Sequence, residues 1–364
     1  MKAGIVGLPN VGKSTLFNCL SNAKAQSANY PFCTIEPNVG VVNVPDSRLE
    51  ALEKIVHPER VMPATVEIVD IAGLVKGASK GEGLGNKFLA NIRETDAIIH
   101  VLRCFEDENI THVEGAIDPV RDKEIIDMEL QFKDLETTEN RIEKVKRKAK
   151  TGDKEGKKEY ELLEKIKSEL LKGISVRAID FTEDEYNNYV TSYQLLTDKP
   201  VLYVCNVDEA AVIGGNKFVA EVKEAVKDET AEILILAAAT EADIMELDTY
   251  EERKMFLDDL GLKEPGINKL IHSVYKLLKQ QTYFTAGEKE VRAWTINIGD
   301  TAPQAAGVIH TDFEKGFIRA EVISYEDYIY FGSETKVKEA GKMRVEGKEY
   351  IVKDGDIMHF RFNV

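Results

Sequence analysis

The stretch GLPNVGKS, from Gly7 to Ser14, has the residue types and spacing of a phosphate-binding loop. It matches the pattern G-x-x-x-x-G-K-[ST] and lies between an apolar, β-branched run and a helical pattern, which is the context that such a loop needs. Gly7 and Gly12 would permit backbone angles closed to other residues, so that consecutive N–H groups point at phosphate oxygens. We expect Lys13 to reach the β- and γ-phosphates and Ser14 to bind Mg²⁺. The alternative is a glycine turn that only joins a strand to a helix.

The same loop contains a candidate site for a monovalent cation. The amide oxygen of Asn10 could coordinate K⁺ between the phosphates. Asparagine also tolerates turn geometry well, so a purely conformational role stays open. The residues of this segment that we expect to contact nucleotide are Asn10, Val11, Gly12, Lys13, Ser14 and Thr15.

A second motif, TVEIVDIAGL, delivers the pattern D-x-x-G at the end of an apolar run. Asp70 could hold Mg²⁺ through water, and Gly73 could give its N–H to the γ-phosphate. Between the two motifs lies YPFCTIEPN, in which Thr34 is the candidate hydroxyl for closing over Mg²⁺ and the γ-phosphate. The order and spacing of the motifs indicate a GTPase-like switch rather than a small-molecule kinase.

The residue after D-x-x-G is Leu74, where Ras-like proteins carry the glutamine that orients the attacking water. Leucine has no polar atom for that task, so a hydrolase of this kind would need water positioning from elsewhere. Five glycines fall between Gly73 and Gly85. Glycine loses much entropy on ordering, so this density is typical of a segment that moves, although a plain surface loop remains an alternative.

The stretch CNVDE, ending at Glu209, stands where a guanine-binding protein would carry Asn-Lys-x-Asp. Val207 replaces the lysine, and Glu209 replaces the aspartate with one extra methylene, so the carboxylate fork for guanine is mispositioned. Asn206 remains available to bridge the loop to the base or to bond adenine. The later run ILILAAA presents Ala237 and Ala238 where a serine usually supports guanine binding. We therefore expect ATP to be preferred over GTP.

Bulk properties limit the class of protein. A chain of 364 residues exceeds the roughly 250–300 residues that one core supports, so we expect two or three domains. No apolar run approaches the about 20 residues that span a bilayer, and the opening residues do not suggest a signal peptide. The four scattered cysteines form no C-x-x-C pair, which disfavours a zinc site or a disulfide framework. We expect a cytoplasmic protein with no membrane partner.

Strand-like runs alternate with helical patterns, which predicts an α/β fold with a mostly parallel sheet. The alternation breaks at residues 120–197, where two long charged helices predict a coiled-coil hairpin projecting as an arm. After residue 281 the composition changes to short strands and turns. We therefore predict a nucleotide-binding domain at 1–119 and 198–281, a helical arm at 120–197 and a small C-terminal domain at 282–364.

The predicted tip of the arm is basic although the chain as a whole has a net charge of −16. From Lys144 to Lys158 there are eight lysines and arginines against two acidic residues. Such a run is often only a solvated surface, but at the tip of an arm it could contact nucleic-acid phosphates. In the C-terminal domain, an aromatic cluster could stack on RNA bases or could serve packing. Its members are Tyr325, Tyr328, Tyr330 and Phe331.

The stretch NYPFCTIEPNVG, followed by DIAGLVKGASKGEGLGNKFLANIRETDAIIHVLRCF, closely resembles the YchF branch of the Obg-like family of P-loop NTPases, and the likeness covers the whole chain. This resemblance implies a translation-factor-class fold that prefers ATP, with a hydrophobic residue in place of the catalytic glutamine. It also implies a helical arm, a C-terminal TGS domain of the β-grasp fold, and a role with ribosomes. In the family, a histidine matching His112 is credited with positioning the water.

Together these features predict a Mg²⁺-dependent P-loop NTPase that hydrolyses ATP to ADP and phosphate and acts as a nucleotide-gated switch on the ribosome. The partner would be met through the basic tip and the TGS domain. Two alternatives stay open, a GTPase with relaxed base choice and an ATP-binding scaffold with negligible turnover. From the residues alone, an exposed loop histidine without a task is the better interpretation of His112, and the catalytic role comes from the resemblance.

Overall fold

The computed structural model describes residues 1–22, 39–71, 84–110, 112–113 and 115–363. The chain divides into two compact units. The first comprises Met1–Gly40 and Glu67–Leu270, and the second comprises Val41–Val66 and Ile271–Val364. Within the described residues, no helix is long and apolar enough to cross a bilayer.

Strands and helices follow one another along the chain as the hydrophobic periodicity predicts. The strands are β1 (Lys2–Val6), β2 (Val39–Asn43), β3 (Val61–Met62), β4 (Thr65–Asp70), β5 (Ala97–Arg103), β6 (Val201–Asn206), β7 (Glu232–Leu236), β8 (Gln280–Ala286), β9 (Val291–Asn297), β10 (Phe317–Ile323), β11 (Arg344–Glu346) and β12 (Ile357–Phe362). The helices are α1 (Lys13–Asn22), α2 (Ser47–Val56), α3 (Leu84–Arg93), α4 (Pro119–Lys150), α5 (Lys154–Leu171), α6 (Glu183–Glu185), α7 (Thr191–Tyr193), α8 (Lys217–Ala225), α9 (Ala238–Glu246), α10 (Tyr250–Asp259), α11 (Gly266–Leu277), α12 (Ala302–Ile309), α13 (Thr311–Lys315), α14 (Tyr325–Phe331) and α15 (Glu334–Glu339).

One sheet has the strand order β2-β4-β1-β5-β6-β7. The pairings of β1 with β4 and β5, of β5 with β6 and of β6 with β7 are all parallel. Every residue of β5 and β6 is buried, as expected for central strands of a parallel sheet covered on both faces. The predicted α/β class is confirmed, and the loops that carry the motifs follow the carboxyl ends of these strands.

The predicted pair of long helices is present as α4 and α5, which pack against each other. Asp118 caps α4 by accepting a hydrogen bond from the backbone N–H of Arg121, and Gly152 turns the chain between the helices at φ +84°. Gly156 lies where α5 crosses α4, because an added Cβ would stand 2.9 Å from Cβ of Lys148. The arm has its own apolar core, formed by Ile142, Val145, Leu162, Leu163, Ile166, Leu170, Val176, Val190, Tyr193 and Leu195.

A group of buried and half-buried polar side chains, here called the arm-base cluster, joins α4 to the neighbouring strands and loops. Its members are Lys123, Asp127, Arg177, Tyr203 and Glu229. Nζ of Lys123 lies 2.8 Å from a carboxylate oxygen of Asp127 and 2.8 Å from one of Glu229. Arg177 reaches the other oxygen of Asp127 at 3.3 Å, and the Tyr203 hydroxyl donates to Glu229. Each buried charge therefore has a partner of opposite sign.

The second unit is a mixed sheet of order β11-β10-β12-β8-β9-β3. Small residues of α12 pack into its core against Tyr283, Phe317 and Phe360. Residues 41–66, predicted to lie in the nucleotide-binding domain, fall within this unit instead. Val61 pairs with Val291 in the sheet, and Arg48 forms a 2.6 Å ion pair with Asp354. The three-domain division itself stays a prediction.

The aromatic residues proposed for base stacking lie on a helix, α14. Tyr328 is buried, whereas Tyr330 is 82% exposed. The cluster therefore divides between packing and surface.

Candidate nucleotide-binding site

A cavity of about 840 Å³ lies in the first unit, where the loops after β1, β5, β6 and β7 come together. The predicted residues among those that line it are Asn10, Gly12, Lys13, Ser14, Thr15, Asn206, Val207, Glu209 and Ala238. Ligands of open parallel sheets bind beyond the carboxyl ends of the strands, so this is the expected position for a nucleotide. Two motifs almost 200 residues apart in sequence thus line one cavity.

The phosphate-binding loop needs its two glycines for different reasons. Gly12 has φ +92°, and an added Cβ would stand 2.2 Å from Nδ2 of Asn206, so both its conformation and its surroundings require glycine. Gly7 is not in the left-handed region, which corrects the expectation that it supplies an unusual backbone angle. A Cβ at Gly7 would instead stand 2.8 Å from the carbonyl oxygen of Val101, so this glycine permits close approach to β5.

Lys13 is buried at the first position of α1 and links the two phosphate motifs. Its Nζ lies 3.0 Å from Oδ1 of Asp70 and 3.0 Å from the carbonyl oxygen of Ile71. β1 and β4 are neighbours, with Ile5 opposite Asp70, and this register brings the motifs together. An oxygen of a bound phosphate could replace either of these two oxygens, because it can accept a hydrogen bond from the Lys13 ammonium in the same way.

The residues at this end of the cavity fit Mg²⁺. Magnesium in phosphate sites is held by one or two protein oxygens together with phosphates and water. Ser14 is an exposed lining residue, and the Asp70 carboxylate lies beside Lys13. No group of three or more histidine, cysteine or acidic residues that could hold a metal occurs among the described residues.

Asn10 lines the cavity with its backbone in the left-handed region, at φ 64°. Asparagine is one of the few residues that adopt this conformation at low cost. This favours the conformational explanation of Asn10, while its role toward K⁺ stays a prediction.

Asn206 bridges two walls of the cavity and is only 4% exposed. Its Nδ2 donates to the carbonyl oxygen of Val11 at 2.9 Å, and its Oδ1 accepts from the N–H of Ala238 at 2.8 Å. This differs from the expectation that the amide is available to a purine, because both of its ends are already bonded to the protein. Val11 contributes its carbonyl group here and is not a lining residue.

The part of the cavity wall that follows β6 contains apolar and acidic residues. Val207 and Glu209 lie there as predicted. The side chain of Asp208 accepts from the N–H of Ala211 and caps a short 3₁₀ turn. Ala237 is buried at the N-cap of α9 and makes no side-chain cap, as expected for alanine, and it does not line the cavity.

Sequence reasoning missed the loop after β5 as a wall of this cavity. It contributes Phe105, Glu106, Asp107 and Ile110. An aromatic residue two positions beyond a fully buried strand, at the edge that carries the other motifs, is the signal that could have found it. Further lining residues that were not predicted are Leu8, Pro9, Asp208, Ala239, Thr240 and Asp243.

His112 is buried, not exposed, and it does not line the cavity. Its Nε2 lies 2.7 Å from Oδ2 of Asp122, which is itself buried in the first turn of α4. Arg121 donates to the other oxygen of that carboxylate at 3.0 Å. The alternative of an exposed loop histidine is therefore wrong for this structure. Thr34, Gly73 and Leu74 lie outside the described residues.

Comparison with known proteins identifies the family. A family model described as a 50S ribosome-binding GTPase matches residues 2–143, and the YchF-GTPase C-terminal model, described as a protein of unknown function, matches residues 280–363. A protein of Haemophilus ducreyi named ribosome-binding ATPase YchF is 58% identical over 363 residues, covering 100% of this chain and 99% of that protein. The chain belongs to the YchF family. A relative of the same name from Bacillus subtilis is 54% identical and matches both chains in full.

Solved structures support the same family fold. The Schizosaccharomyces pombe YchF GTPase is 39% identical with a TM-score of 0.90, and the match covers 99% of this chain and 97% of that chain. A GTP-binding protein from Pyrococcus horikoshii has a TM-score of 0.60 at 21% identity, a likeness of fold alone. The YchF assignment confirms the P-loop nucleotide-binding domain and the family-specific C-terminal domain.

Proposed function

We propose that this YchF-family protein binds ATP in the cavity of the first unit, hydrolyses it to ADP and phosphate, and acts as a nucleotide-gated switch on the ribosome. One observation carries the nucleotide part of this proposal. Lys13 and Asp70 of the phosphate motifs meet at 3.0 Å, and Asn206 of the base motif is bonded to the same loop. Residues of both motifs line one cavity, which supports the proposal that it holds the phosphates and the base of one nucleotide.

At the phosphate end, Lys13 would contact the β- and γ-phosphates, with the α1 N-terminus and loop N–H groups as further donors. Ser14, Asp70 and Thr34 would hold Mg²⁺, which supplies charge neutralisation on the phosphates when bound. Gly73 would donate to the γ-phosphate, and Asn10 would support K⁺. Because Asp70 pairs with Lys13, nucleotide binding would exchange one oxygen partner of the ammonium for another.

At the base end, the preference for ATP rests on the side chains at positions 207 and 209. Neither the lysine stem nor the short carboxylate that guanine requires is present, since Val207 and Glu209 stand there. Phe105 and Val207 offer apolar contact area that any purine can use. The side chain of Asn206 would act by holding the loops in place rather than by contacting the base.

His112 is the candidate for positioning the attacking water. In the described structure its ring is held by Asp122, so this role would require the loop to rearrange when nucleotide binds. Substitution of His112 by alanine should then reduce hydrolysis while leaving ATP affinity nearly intact, the pattern of a contact made in the transition state.

A ribosomal partner is proposed from two sources. The relatives of Haemophilus ducreyi and Bacillus subtilis are named ribosome-binding ATPases. The tip of the arm carries exposed basic residues that could contact rRNA phosphates. These are Lys144, Arg147, Lys148, Lys150, Lys154, Lys157 and Lys158. The C-terminal TGS domain would be a second contact, and the protein would act in the cytoplasm.

Single-turnover hydrolysis of ATP and GTP, with and without ribosomes, tests this function. We expect ATP to be bound more tightly than GTP and hydrolysed, and Lys13→Ala to abolish nucleotide binding. Comparable turnover of both nucleotides would favour the GTPase with relaxed base choice. Tight ATP binding with no turnover, even with ribosomes, would favour the scaffold. Calorimetry showing no ATP binding by the wild-type protein would refute the proposal as a whole.

A further inference from the structure

Arg103, the last residue of β5, is 1% exposed and is one of the largest fully buried side chains in the protein. It does not line the nucleotide cavity. Within the described residues no carboxylate lies within ion-pair distance of Arg103, and Asp107 and Asp122 attract its charge from further away. Burying a guanidinium is costly unless its N–H groups are hydrogen-bonded, so the acceptors of Arg103 must account for its burial.

All three guanidinium nitrogens of Arg103 donate to carbonyl oxygens of the loop that follows it. Nε donates to Phe105 at 3.3 Å, Nη1 to Ile110 at 2.9 Å and Nη2 to Asp107 at 3.2 Å. The planar, rigid fork of arginine suits three acceptors in fixed directions, which the single ammonium of lysine cannot match. One side chain thus sets the path of six residues.

The three residues whose carbonyls are held are the same residues that form a wall of the cavity. Phe105, Asp107 and Ile110 all line it, and they follow β5, whose last residue Arg103 lies opposite Asn206 in the sheet, one residue before Val207. In addition, the guanidinium carbon of Arg103 lies 4.6 Å from the centre of the Phe105 ring, a cation–π distance. Arg103 therefore fixes both the backbone of this wall and the ring that it presents.

The other contacts of the loop lie at its surface: an exposed ion pair joins Glu106 to Lys217 at 2.8 Å, and the N–H of Asn109 donates to the Asp107 carboxylate. Residues 106–110 are exposed, and the hydrogen bonds within the loop include the N–H of Ile110 to the carbonyl oxygen of Asp107. Exposed loops with few internal bonds sample many conformations, and a ligand that needs one of them must bear the cost of ordering it. A loop held in place before binding avoids that cost.

We propose that Arg103 is a positioning residue for the base of the nucleotide, which acts by preorganising residues 105–110 as the base-side wall of the cavity. This inference rests on the proposed nucleotide site and adds the residue that shapes its base end. It predicts that a substitution of Arg103 changes the affinity for one class of ligand and not for another. Loss of the guanidinium fork should weaken ligands that carry a base and should leave ligands that consist of phosphates alone unaffected.

The test compares ATP with inorganic triphosphate by calorimetry in the presence of Mg²⁺, using full-length wild-type protein and Arg103→Lys. Lysine keeps the charge and removes the fork. We expect Arg103→Lys to weaken ATP about tenfold, in keeping with the loss of more than one hydrogen bond in the loop. Affinity for triphosphate should stay within about twofold, which also shows that the variant is folded. Hydrogen exchange at residues 105–110 should become faster.

Two further variants keep the result interpretable. Arg253→Lys is a matched control, because Arg253 also donates through its guanidinium to a backbone carbonyl, that of Leu247, and does not line the cavity. It should match the wild type for both ligands. Phe105→Leu removes the ring while keeping Arg103, and it should weaken ATP and spare triphosphate. This variant still tests the base wall if Arg103→Lys proves unstable.

The outcomes separate this inference from the proposed function. Failure of the wild type to bind ATP at all would overturn the proposed function. Wild-type binding of ATP with unchanged ATP affinity in a folded Arg103→Lys would overturn the role of Arg103 alone, whatever the effect of Phe105→Leu. Equal weakening of ATP and triphosphate in a folded Arg103→Lys would also overturn it, because the effect would then lie on the site as a whole.

Discussion

The two ends of the helical arm use charge in opposite ways. At the arm-base cluster, Lys123 and Asp127 are buried, Arg177 and Glu229 are half-buried, and these four side chains form ion pairs with one another. At the tip, Lys144, Arg147 and Lys148 are exposed, and none of them forms an ion pair within residues 115–363. Ion pairs between buried charges hold the chain in one arrangement. Clustered charges of the same sign repel one another and do not stabilise the fold. The comparison indicates that the base is structural and that the tip is available to a partner.

The largest effect on stability should come from removing a charged side chain of the arm-base cluster. In Asp127→Ala, Lys123 keeps Glu229 but Arg177 loses its nearest carboxylate inside the protein. Removing one partner of a buried ion pair typically costs roughly 3–5 kcal/mol, and we expect a loss of that order in the free energy of unfolding from urea denaturation. The matched control is Glu143→Ala, which breaks the exposed 3.0 Å pair with Lys146 near the tip and should cause no measurable change. Equal losses in the two variants would contradict the comparison.

The base should also make stability depend on pH through His100, which lies beside Tyr203 of the cluster. Burial lowers the pKa of His100 from 6.5 to about 4; the positive charges of Lys123 and Arg177 act in the same direction, and Asp127 opposes them. Between these values the unfolded chain takes up a proton that the folded protein does not. The contribution of His100 to the free energy of unfolding is therefore at its maximum above about pH 6.5. It falls by roughly 3 kcal/mol in total as the pH decreases to about 4.

His100→Gln should remove this part of the pH dependence, whatever it does to stability at neutral pH. The measurement is the slope of unfolding free energy against pH between 7 and about 4. His310→Gln, at an exposed position in the second unit, serves as the control and should keep the wild-type slope. If His100→Gln has the same slope as the wild type, burial of His100 does not govern this window.

The third effect concerns the tip and should be visible only in binding. Reversal of Lys144, Arg147 and Lys148 to glutamate should weaken association with purified ribosomes by roughly tenfold to a hundredfold at low salt and flatten the salt dependence. Each neutralised phosphate releases condensed counterions, so fewer contacts give a smaller slope. Basal ATP turnover should stay unchanged, because these residues lie outside the cavity.

A charge-matched control reverses Lys223, Lys254 and Lys263, which are exposed on other helices and loops of the first unit. Cosedimentation across a salt series, with an ATP analogue or ADP, compares the two variants at the same net charge. If both pellet like the wild type, the tip is only a solvated surface, and the C-terminal domain becomes the better candidate for the ribosomal contact.

What could be predicted from the sequence was local. The loop from Gly7 to Ser14, the strands around it and the two arm helices each follow from residue types and periodicity within a short window. The burial of His112 depends on Asp122 at the start of a helix, and the path of residues 41–66 depends on pairing with a strand about 230 residues later. Such contacts are set by tertiary packing. The same reason hides Arg103, whose sequence context is that of an ordinary strand end.

The two hydrogen bonds made by Asn206 limit which substitutions the cavity can tolerate. One amide ties the phosphate loop at Val11 to the loop at Ala238, so its loss would disturb both walls together. Val207 and Glu209 have no comparable tie to the phosphate loop within the described residues, and can be exchanged one at a time. Under the proposed function, substitutions at Val207 and Glu209 should therefore change base preference with less effect on phosphate binding than loss of Asn206.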